Sequence, residues 1–349
     1  MDSQENKHKR RVRYKGKYPK RYQEKYKELH PEKYQEIVDH VIKKGSTPAG
    51  MHISIMVKEI LEFLNIRPGQ IGLDATLGYG GHSLEMLKCL DMKGHLYGLD
   101  IDPLELPKTK ERLEKQGFDS SILTIKQLNF SKIDELVLES GLLDFVLADL
   151  GVSSMQIDNP TRGFSYKTDG PLDLRMNPEK GISAATRLRR ISQPALAGML
   201  TENADEPYAE IISKEIISEI KKGKNIKTTK QLRQIIEQAL QFLPENNRDY
   251  NIKKSCQRSF QALRIDVNQE FQAIYDFLEK LPDALVSGGR VAILSFHSGE
   301  DRLVKKSFKR LLREGVYKEI SPGIIRPSEE ECNLNRRARS TKMRWAIKA

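Results

Sequence analysis

Only three cysteines and one tryptophan occur among the 349 residues, and no apolar run reaches the length of about 18 residues that a membrane helix needs. Cys89, Cys256 and Cys332 lie far apart, without the spacing of a metal site or a disulfide framework, which predicts reduced thiols. The charged N-terminus lacks the apolar region of a secretory signal. These absences argue against membrane spans, disulfide scaffolds and secretion, and they predict a cytoplasmic protein.

Positive charge is abundant and unevenly distributed. The formal net charge is +11, and residues 1–44 carry 14 Lys/Arg against 7 Asp/Glu. In this basic, Tyr/Lys-rich extension, the hexamer PKRYQE recurs as PEKYQE, and four tyrosines from Tyr14 to Tyr26 are spaced four residues apart. Aromatic rings can stack on bases while lysines and arginines meet phosphates, so we expect contact with RNA. A solubilising extension without a ligand is the alternative.

Strand and helix patterns alternate after residue 53. Short apolar runs predict buried strands at 70–76, 94–101, 122–128 and 144–150, with helices between them. This alternation predicts an α/β fold with a doubly wound, mostly parallel sheet. Helical patterns alone follow from 183 to 243. The α/β pattern then resumes: apolar residues from Leu263 to Leu281 keep helical spacing, and RVAILSF (290–296) and TKMRWAIK (341–348) are further strand candidates. The predicted divisions are the extension (1–44), the first part of the core (45–160), a helical insertion (161–260) and the second part of the core (261–349).

A glycine-rich loop, LDATLGYGGHS, follows the first predicted strand. A phosphate-binding Walker loop needs Lys and Ser/Thr after its last glycine, but His82 follows Gly81. Ser83 stands where a dinucleotide fingerprint has its third glycine, after Gly78 and Gly80. The loop therefore favours S-adenosylmethionine over a dinucleotide, without excluding the latter.

Aspartates end three of the predicted strands. Asp74 lies four residues before Gly78, where a carboxylate suits the ammonium and sulfonium charges of S-adenosylmethionine. Asp100 ends the second strand, as does the acid that accepts ribose hydroxyls in cofactor-binding folds of this kind. Asp149 ends the fourth strand, and ligands of open α/β sheets bind at the carboxyl ends of strands. We expect Asp149 to lie between cofactor and substrate.

Several longer motifs resemble one family. They are GMHIS, LDATLGYGGHS, LDIDP, DLGVSSMQIDNPTRGFSYKTDGPLDLRM, SFQALRIDVNQE, GGRVAILSFHSGEDR and RRARSTKMR. Together they resemble the bacterial ribosomal RNA small-subunit methyltransferase H family (MraW-like), which methylates N4 of a cytosine. The resemblance runs from about residue 50 to the C-terminus. The segment KKSCQRS (253–259) and the basic extension depart from the family pattern.

The resemblance implies a class I S-adenosylmethionine-dependent methyltransferase with a helical insertion. S-adenosylmethionine would be the methyl donor, no metal would be required, and the partner would be 16S ribosomal RNA or the small ribosomal subunit. A homodimer is also suggested, while the oligomeric state, the nucleotide methylated and the choice between free RNA and assembled subunit stay open. The cofactor contacts carried over by motif are Gly80, Gly81, His82, Asp100, Phe130, Asp149 and Gln156, to which the glycine-loop reasoning adds Asp74 and Gly78.

Catalytic and RNA-binding candidates follow from the same motifs. Asp149, or backbone carbonyls within 149–152, would accept the hydrogens of the cytosine amine, with Asp173 and His297 as further candidates. Arg175, Arg336, Arg337 and Arg339 are the predicted phosphate ligands. The competing interpretations are an internal Asp173–Arg175 pair, a structural histidine and a solvated arginine surface.

Two other functions compete with methylation. The glycines and Asp100 would also suit an NAD-dependent oxidoreductase, and the basic extension would suit a non-catalytic RNA-binding factor for ribosome assembly. A nucleophilic role for Cys256 is rejected, because no Pro-Cys motif surrounds it.

Overall fold

The computed structural model describes residues 54–349, and the predicted extension at 1–44 lies outside them. Seven strands form one sheet in the order β3-β2-β1-β4-β5-β7-β6. The strands are β1 (Ile71–Asp74), β2 (His95–Asp100), β3 (Leu123–Gln127), β4 (Leu143–Asp149), β5 (Leu285–Ser295), β6 (Tyr317–Ile320) and β7 (Lys342–Lys348).

Parallel pairing brings the carboxyl ends of the central strands to one edge. β1 pairs in parallel with β2 and β4, and the same orientation joins β2 to β3 and β4 to β5. Only β7 runs antiparallel, between β5 and β6. This arrangement confirms the expected α/β fold of a class I S-adenosylmethionine-dependent methyltransferase. It also places Asp74, Asp100 and Asp149 at the same edge of the sheet.

Both faces of the sheet are covered, as the apolar strands predicted. Alternate residues of β4 point to opposite sides: Val146 and Ala148 belong to one hydrophobic cluster, whereas Phe145 and Leu147 belong to another. The covering helices are α1 (Val57–Leu64), α2 (Gly81–Leu90), α3 (Leu106–Lys115), α4 (Ile133–Ser140), α11 (Glu270–Ala284) and α12 (Ser298–Arg313). No helix between residues 54 and 349 is both long and apolar enough to cross a bilayer.

The helical insertion has a hydrophobic core of its own. This cluster runs from Phe164 to Leu263 and includes Ile212, Leu232 and Ile235, all fully buried. The helices from the end of β4 onward are α5 (Ser154–Asp158), α6 (Ala184–Arg190), α7 (Gln193–Ala204), α8 (Ala209–Lys221), α9 (Thr229–Ala239) and α10 (Glu245–Asn268), and the short α13 (Glu329–Leu334) precedes β7. Apolar side chains at helical spacing therefore pack on one another here rather than on the sheet.

Two sequence predictions are wrong in detail. The boundary predicted between 260 and 261 falls inside α10, whose Phe260 and Leu263 both pack in the insertion core. The helical spacing from Leu263 to Leu281 predicted one helix, but Gln269 adopts the left-handed conformation (φ 51°) and separates α10 from α11. Strand β6 was not predicted, because its YKEI sequence is short and half charged.

Candidate active site

The loop between β1 and α2 depends on its glycines. Gly78 and Gly80 have φ values of 49° and 79°, in the left-handed region that side chains disfavour. A Cβ on Gly80 would lie 2.9 Å from Cγ2 of Thr109, and one on Gly81 would lie 2.1 Å from Oγ of Ser54. The backbone angles therefore favour glycine at positions 78 and 80, whereas a side chain at position 81 would require Ser54 to move. The cofactor contacts predicted for the three glycines stay predictions.

Asp74 braces this loop. Its side chain is buried, accepting a hydrogen bond from Oγ of Ser83 at 2.6 Å and another from the backbone N–H of Thr76 at 3.2 Å. Burial raises the pKa of Asp74, while Ser83 and His82 act in the opposite direction. Ser83 thus has a structural use at the position where a dinucleotide fingerprint has glycine. The contact predicted between Asp74 and a cofactor stays a prediction.

Asp100 joins the end of β2 to the glycine loop. The backbone N–H of Gly78 donates to its Oδ2 at 2.8 Å, and that of Asp102 donates to its Oδ1 at 2.9 Å. Burial raises the pKa of Asp100 to about 6, although both backbone donors lower it. Each carboxylate oxygen keeps a second lone pair, so Asp100 can also accept the two hydroxyls of a ribose.

Asp149 lies at the end of β4 with one buried oxygen unpartnered. Its backbone N–H donates to Oγ1 of Thr76 at 2.6 Å, but Oδ1 accepts no hydrogen bond from residues 54–349. Oδ2 lies 3.7 Å from Nδ1 of His82. Burial raises the pKa of Asp149 to about 6; His82 lowers it, and nearby Asp74 and Glu300 raise it. Asp149 therefore combines an unsatisfied acceptor with a proton affinity suited to chemistry near neutral pH.

A backbone hydrogen bond orients the His82 ring. Nε2 of His82 lies 2.9 Å from the carbonyl oxygen of Ile55, which only accepts hydrogen bonds, so Nε2 is the donor. This bond turns Nδ1 toward the Asp149 carboxylate, 3.7 Å away, which is within ion-pair range but too far for a direct hydrogen bond.

Known proteins resemble this chain over most or all of its length. The sequence model of the MraW methylase family matches residues 49–349. The chain belongs to this family. Ribosomal RNA small subunit methyltransferase H 2 of Alkaliphilus metalliredigens is 70% identical to it over 349 residues, the full length of both chains. Ribosomal RNA small subunit methyltransferase H 1 of Lachnoclostridium phytofermentans is 69% identical over 348 residues, covering 100% of this chain and 95% of the relative.

The basic extension lies outside the match to the family model. The family match begins at residue 49, whereas the Alkaliphilus alignment spans the whole chain. Ribosomal RNA small subunit methyltransferase H of Koribacter versatilis is 38% identical over 301 residues, which cover 85% of this chain and 94% of the relative. The MraW domain is thus shared with all three relatives, and the extension with at least the first. Membership of a methylase family makes the NAD-dependent oxidoreductase alternative wrong.

The residues at the sheet edge fit S-adenosylmethionine, the cofactor of this methyltransferase class. Asp100 offers acceptors for the ribose hydroxyls, and the buried Oδ1 of Asp149 offers an acceptor beside the glycine loop. Phe130 lies in a short 3-10 turn after β3 and packs edge-on against Phe277, with ring centroids 5.3 Å apart. The cofactor contact predicted for Phe130 stays a prediction.

A buried polar cluster beside this edge was missed in the sequence. Asp102 is fully buried and accepts from Nη1 of Arg162 and from Nε2 of Gln156, both at 2.7 Å. Oε1 of Gln156 accepts from the backbone N–H of Ser153 at 2.9 Å, inside a capping box at the start of α5. Both functional ends of Gln156 therefore bond protein, each with one further hydrogen-bonding site, and its predicted cofactor contact stays a prediction. The sequence signal for this cluster was the second aspartate of the LDIDP motif, which is Asp102.

In the DGPLDLRM segment, Asp173 and Arg175 form an internal ion pair, which was one of the two interpretations of this motif. Nε and Nη2 of Arg175 donate to the two oxygens of Asp173 at 2.8 and 2.7 Å. Leu174 between them has a φ of 65°, which turns the two side chains toward each other. The catalytic role predicted for Asp173 and the phosphate contact predicted for Arg175 stay predictions, and either would compete with this pair.

His297 caps a helix. Its Nδ1 accepts from the backbone N–H of Glu300 at 3.4 Å at the start of α12, and its ring packs against Phe271. Nε2 lies 3.1 Å from Oε1 of Glu300. Burial acts to raise the pKa of Glu300, but His297 and Arg264 together outweigh this effect. The pKa is lowered overall, so Glu300 stays ionised. These contacts are those of a structural histidine, and its predicted catalytic role stays a prediction.

A second charged pair lies beside His297 and was also missed. Nε and Nη2 of Arg264 each donate to an oxygen of Glu270 at 2.8 Å. Ligand atoms of Glu270, His297 and Glu300 lie within 4.8 Å of one another, a spacing that a metal ion could use. Arg264 already supplies this cluster with a positive charge. The cluster approaches the active site through Gly151, where an added Cβ would lie 3.6 Å from Oε1 of Glu300.

The C-terminal arginines are not equivalent. Nη2 of Arg337 bonds both oxygens of Asp158 at 2.8 and 2.9 Å, which ties the last 3-10 turn to α5. A protein carboxylate thus already binds one nitrogen of Arg337, and its predicted phosphate contact stays a prediction. Arg336 and Arg339 are exposed, and their predicted phosphate contacts stay predictions.

Cys256 does not have the environment of a nucleophile. It is buried in the insertion core, and burial raises the pKa of its thiol to about 12. A thiol that stays protonated at neutral pH is a poor nucleophile. Burial of this thiol agrees with the rejection of Cys256 as a nucleophile.

Proposed function

We propose that this methylase transfers a methyl group from S-adenosylmethionine to N4 of a cytidine in 16S ribosomal RNA of the small ribosomal subunit. The observation that carries the proposal is the buried, unpartnered Oδ1 of Asp149, at the sheet edge where ligands of this fold bind. The names of the relatives specify small-subunit ribosomal RNA, and the sequence motifs resemble those of a cytosine-N4 methylase family. An RNA substrate of this kind would place the reaction in the cytoplasm.

The cofactor side uses residues already held in place. When bound, S-adenosylmethionine supplies an electrophilic methyl group. Asp100 would hold the ribose through its free lone pairs, and Gly78 to Gly81 would let the backbone approach closely. Asp74 would act through the loop that it braces. Because Asp100 and the glycine loop are already held in place, they need not become ordered during the reaction, and this preorganisation increases the rate.

Asp149 would activate the nucleophile. The lone pair of N4 is delocalised into the pyrimidine ring, so the free amine is weakly nucleophilic. A carboxylate that accepts one N4 hydrogen lets the lone pair rotate out of conjugation. As the nitrogen–methyl bond forms, the sulfur–methyl bond would break and release S-adenosylhomocysteine, and one N4 hydrogen would pass as a proton to Oδ1 of Asp149. His82 would stabilise the ionised form of Asp149 before that step.

The RNA side requires the target base to leave its stack, at a cost of a few kcal/mol. We assign recognition to the helical insertion and to the segment that contains the Asp173–Arg175 pair, with Arg336 and Arg339 as exposed phosphate contacts. The basic extension would add sequence-independent attraction to phosphates.

The proposal is tested by identifying the product. The wild type, Asp149→Ala and Asp149→Asn are incubated with labelled S-adenosylmethionine and small subunits that lack the modification. The RNA is digested to nucleosides, which are identified by mass, and cofactor binding is measured separately by calorimetry. We expect labelled N4-methylcytidine from the wild type and its loss in both variants, with cofactor binding retained by the nearly isosteric Asp149→Asn.

Other outcomes separate the competing ideas. A different labelled nucleoside would keep the methylase and remove the N4 assignment. Cofactor binding and RNA binding without transfer to subunits or free RNA would favour the non-catalytic assembly factor. Full activity of Asp149→Asn would remove Asp149 as the proton acceptor.

A further inference from the structure

A buried ion pair links the cofactor edge to the RNA-side segment. The side chains of Arg162 and Asp102 are 6% and 0% exposed, and Nη1 of Arg162 donates to Oδ2 of Asp102 at 2.7 Å. Oδ1 of Asp102 accepts from the backbone N–H of Leu104 at 3.0 Å, and Gln156 shares Oδ2. The pair thus joins three segments: the end of β2, the start of α5 and the turn that contains Arg162.

The other end of Arg162 holds the RNA-side segment. Nη2 donates to the carbonyl oxygen of Met176 at 2.6 Å and to that of Arg175 at 3.2 Å. These carbonyls adjoin the Asp173–Arg175 pair in the sequence. One planar guanidinium therefore fixes the path of this segment with one nitrogen and bonds the cofactor side with the other.

Asp102 is in turn bonded to the predicted ribose acceptor. Its backbone N–H donates to Oδ1 of Asp100 at 2.9 Å. A continuous series of hydrogen bonds therefore runs from Asp100 through Asp102 and Arg162 to Met176. Ribose hydroxyls bound to Asp100 would reduce the freedom of this carboxylate and of the turn at Asp102. That turn sets the position of Arg162.

We propose that Arg162 is a positioning residue that couples cofactor binding to RNA binding. The inference rests on the proposed function, in that RNA is the second ligand. A buried ion pair by itself adds little to stability relative to apolar packing, so stability alone does not account for an arginine here. Lysine would keep the charge but lack the planar fork that reaches Asp102 and Met176 in different directions.

The test is a binding linkage measured without catalysis. The affinity of small ribosomal subunits for the protein is measured with and without saturating S-adenosylhomocysteine. The variants are Arg162→Met and Arg162→Lys. Arg344→Met is the matched control, because Arg344 forms a comparably buried pair with Asp301 (10% and 13% exposed) that joins β7 to α12.

We expect S-adenosylhomocysteine to tighten RNA binding by the wild type by about 5-fold or more, a typical lower value for coupled sites. Both Arg162 variants should reduce this ratio to about 1, whereas Arg344→Met should keep it. Reciprocity requires RNA to tighten S-adenosylhomocysteine binding by the same factor. Arg162→Lys keeps the positive charge. If Arg162 only stabilised the fold, the ratio of RNA affinities with and without S-adenosylhomocysteine would not fall to about 1 in this variant.

Three results would overturn the inference: a wild-type ratio of about 1, an unchanged ratio in both Arg162 variants, or an equal loss in Arg344→Met. The linkage is independent of which atom is methylated. Intact coupling together with a product other than N4-methylcytidine would contradict the proposed function alone.

Discussion

The charged side chains at the cofactor edge of the sheet and those in the segments that we propose to contact RNA, called the RNA side below, differ in how many hydrogen-bond partners the protein itself supplies. At the cofactor edge, Asp149 has a buried oxygen without a donor among the described residues, and both oxygens of Asp100 keep acceptor capacity. On the RNA side, Asp173 and Arg175 bond each other, and Arg337 bonds Asp158.

This difference indicates where a ligand completes the structure. A buried acceptor without a partner destabilises a fold by about 1–3 kcal/mol unless a ligand or water satisfies it. Other buried atoms, such as Oε2 of Glu206, also have no partner among the described residues, and Asp149 differs from them in ending a central strand beside the glycine loop. Paired charges instead hold segments in place, and binding through them would first break the pair. The cofactor edge is prepared for direct contact, whereas the charges on the RNA side chiefly shape their segments.

The largest effect should come from Asp149→Asn. We expect kcat to fall about 100- to 10,000-fold, because the amide cannot accept the N4 proton. Affinity for S-adenosylhomocysteine should persist, since the amide is nearly isosteric. Steady-state kinetics with labelled cofactor measures the change. Asp173→Asn is the comparison variant, and a larger loss there would reverse the contrast between the two regions.

The next effect should come from Asp100→Ala. Loss of charged hydrogen bonds to the ribose should weaken S-adenosylhomocysteine binding about 10- to 100-fold, as measured by calorimetry. Asp173→Ala should leave this affinity unchanged. Equal weakening of S-adenosylhomocysteine binding by both variants would contradict the assignment of Asp100 as the ribose acceptor.

The rate should also depend on pH through Asp149. Its pKa is raised to about 6, and only the ionised form accepts a proton, so activity should be lost as the pH falls through about 6. Single-turnover rates with saturating cofactor should fall about tenfold per pH unit below that value. Saturation limits the contribution of Asp100, whose pKa is also raised to about 6. A rate unchanged from pH 7 to 5 would contradict the assignment.

Since Arg175 and Arg337 are paired with carboxylates, the basic extension should supply part of the positive charge that attracts RNA. Deleting residues 1–44, which carry a net charge of +7, should weaken RNA binding and reduce its dependence on salt. Affinity for S-adenosylhomocysteine should not change. Binding to small subunits across a salt series measures the slope. Equal slopes for the two proteins would remove the RNA role of the extension.

The smallest effect should come from Arg337→Ala. Its pair with Asp158 is partly exposed, so its loss should destabilise the fold by about 1 kcal/mol or less. RNA affinity should fall equally little in Arg337→Ala and Asp158→Ala. A strong loss of RNA binding in the arginine variant alone would identify Arg337 as a phosphate ligand and break the contrast.

Sequence patterns predicted the sheet and the candidate site to different depths. Six of the seven strands were foreseen, because strands buried on both faces are short apolar runs. The break at Gln269 was not, since a single left-handed residue leaves the apolar spacing of the two flanking helices unchanged. Asp102, Arg162, Arg264 and Glu270 were missed because each has its partner in a different part of the fold or across a turn.

Local order along the chain determined the α/β fold, the helical insertion, the glycine loop and the strand-end positions of Asp74, Asp100 and Asp149. These features follow from periodicity and from backbone geometry that few residues allow. Only the tertiary structure decided which carboxylates are satisfied. Asp74 accepts from Ser83, Asp173 from Arg175 and Asp158 from Arg337, while Oδ1 of Asp149 is buried without a donor among residues 54–349. Hydrogen-bond partners are chosen by three-dimensional proximity, and a buried carboxylate has the same letter in the sequence whether or not a donor reaches it.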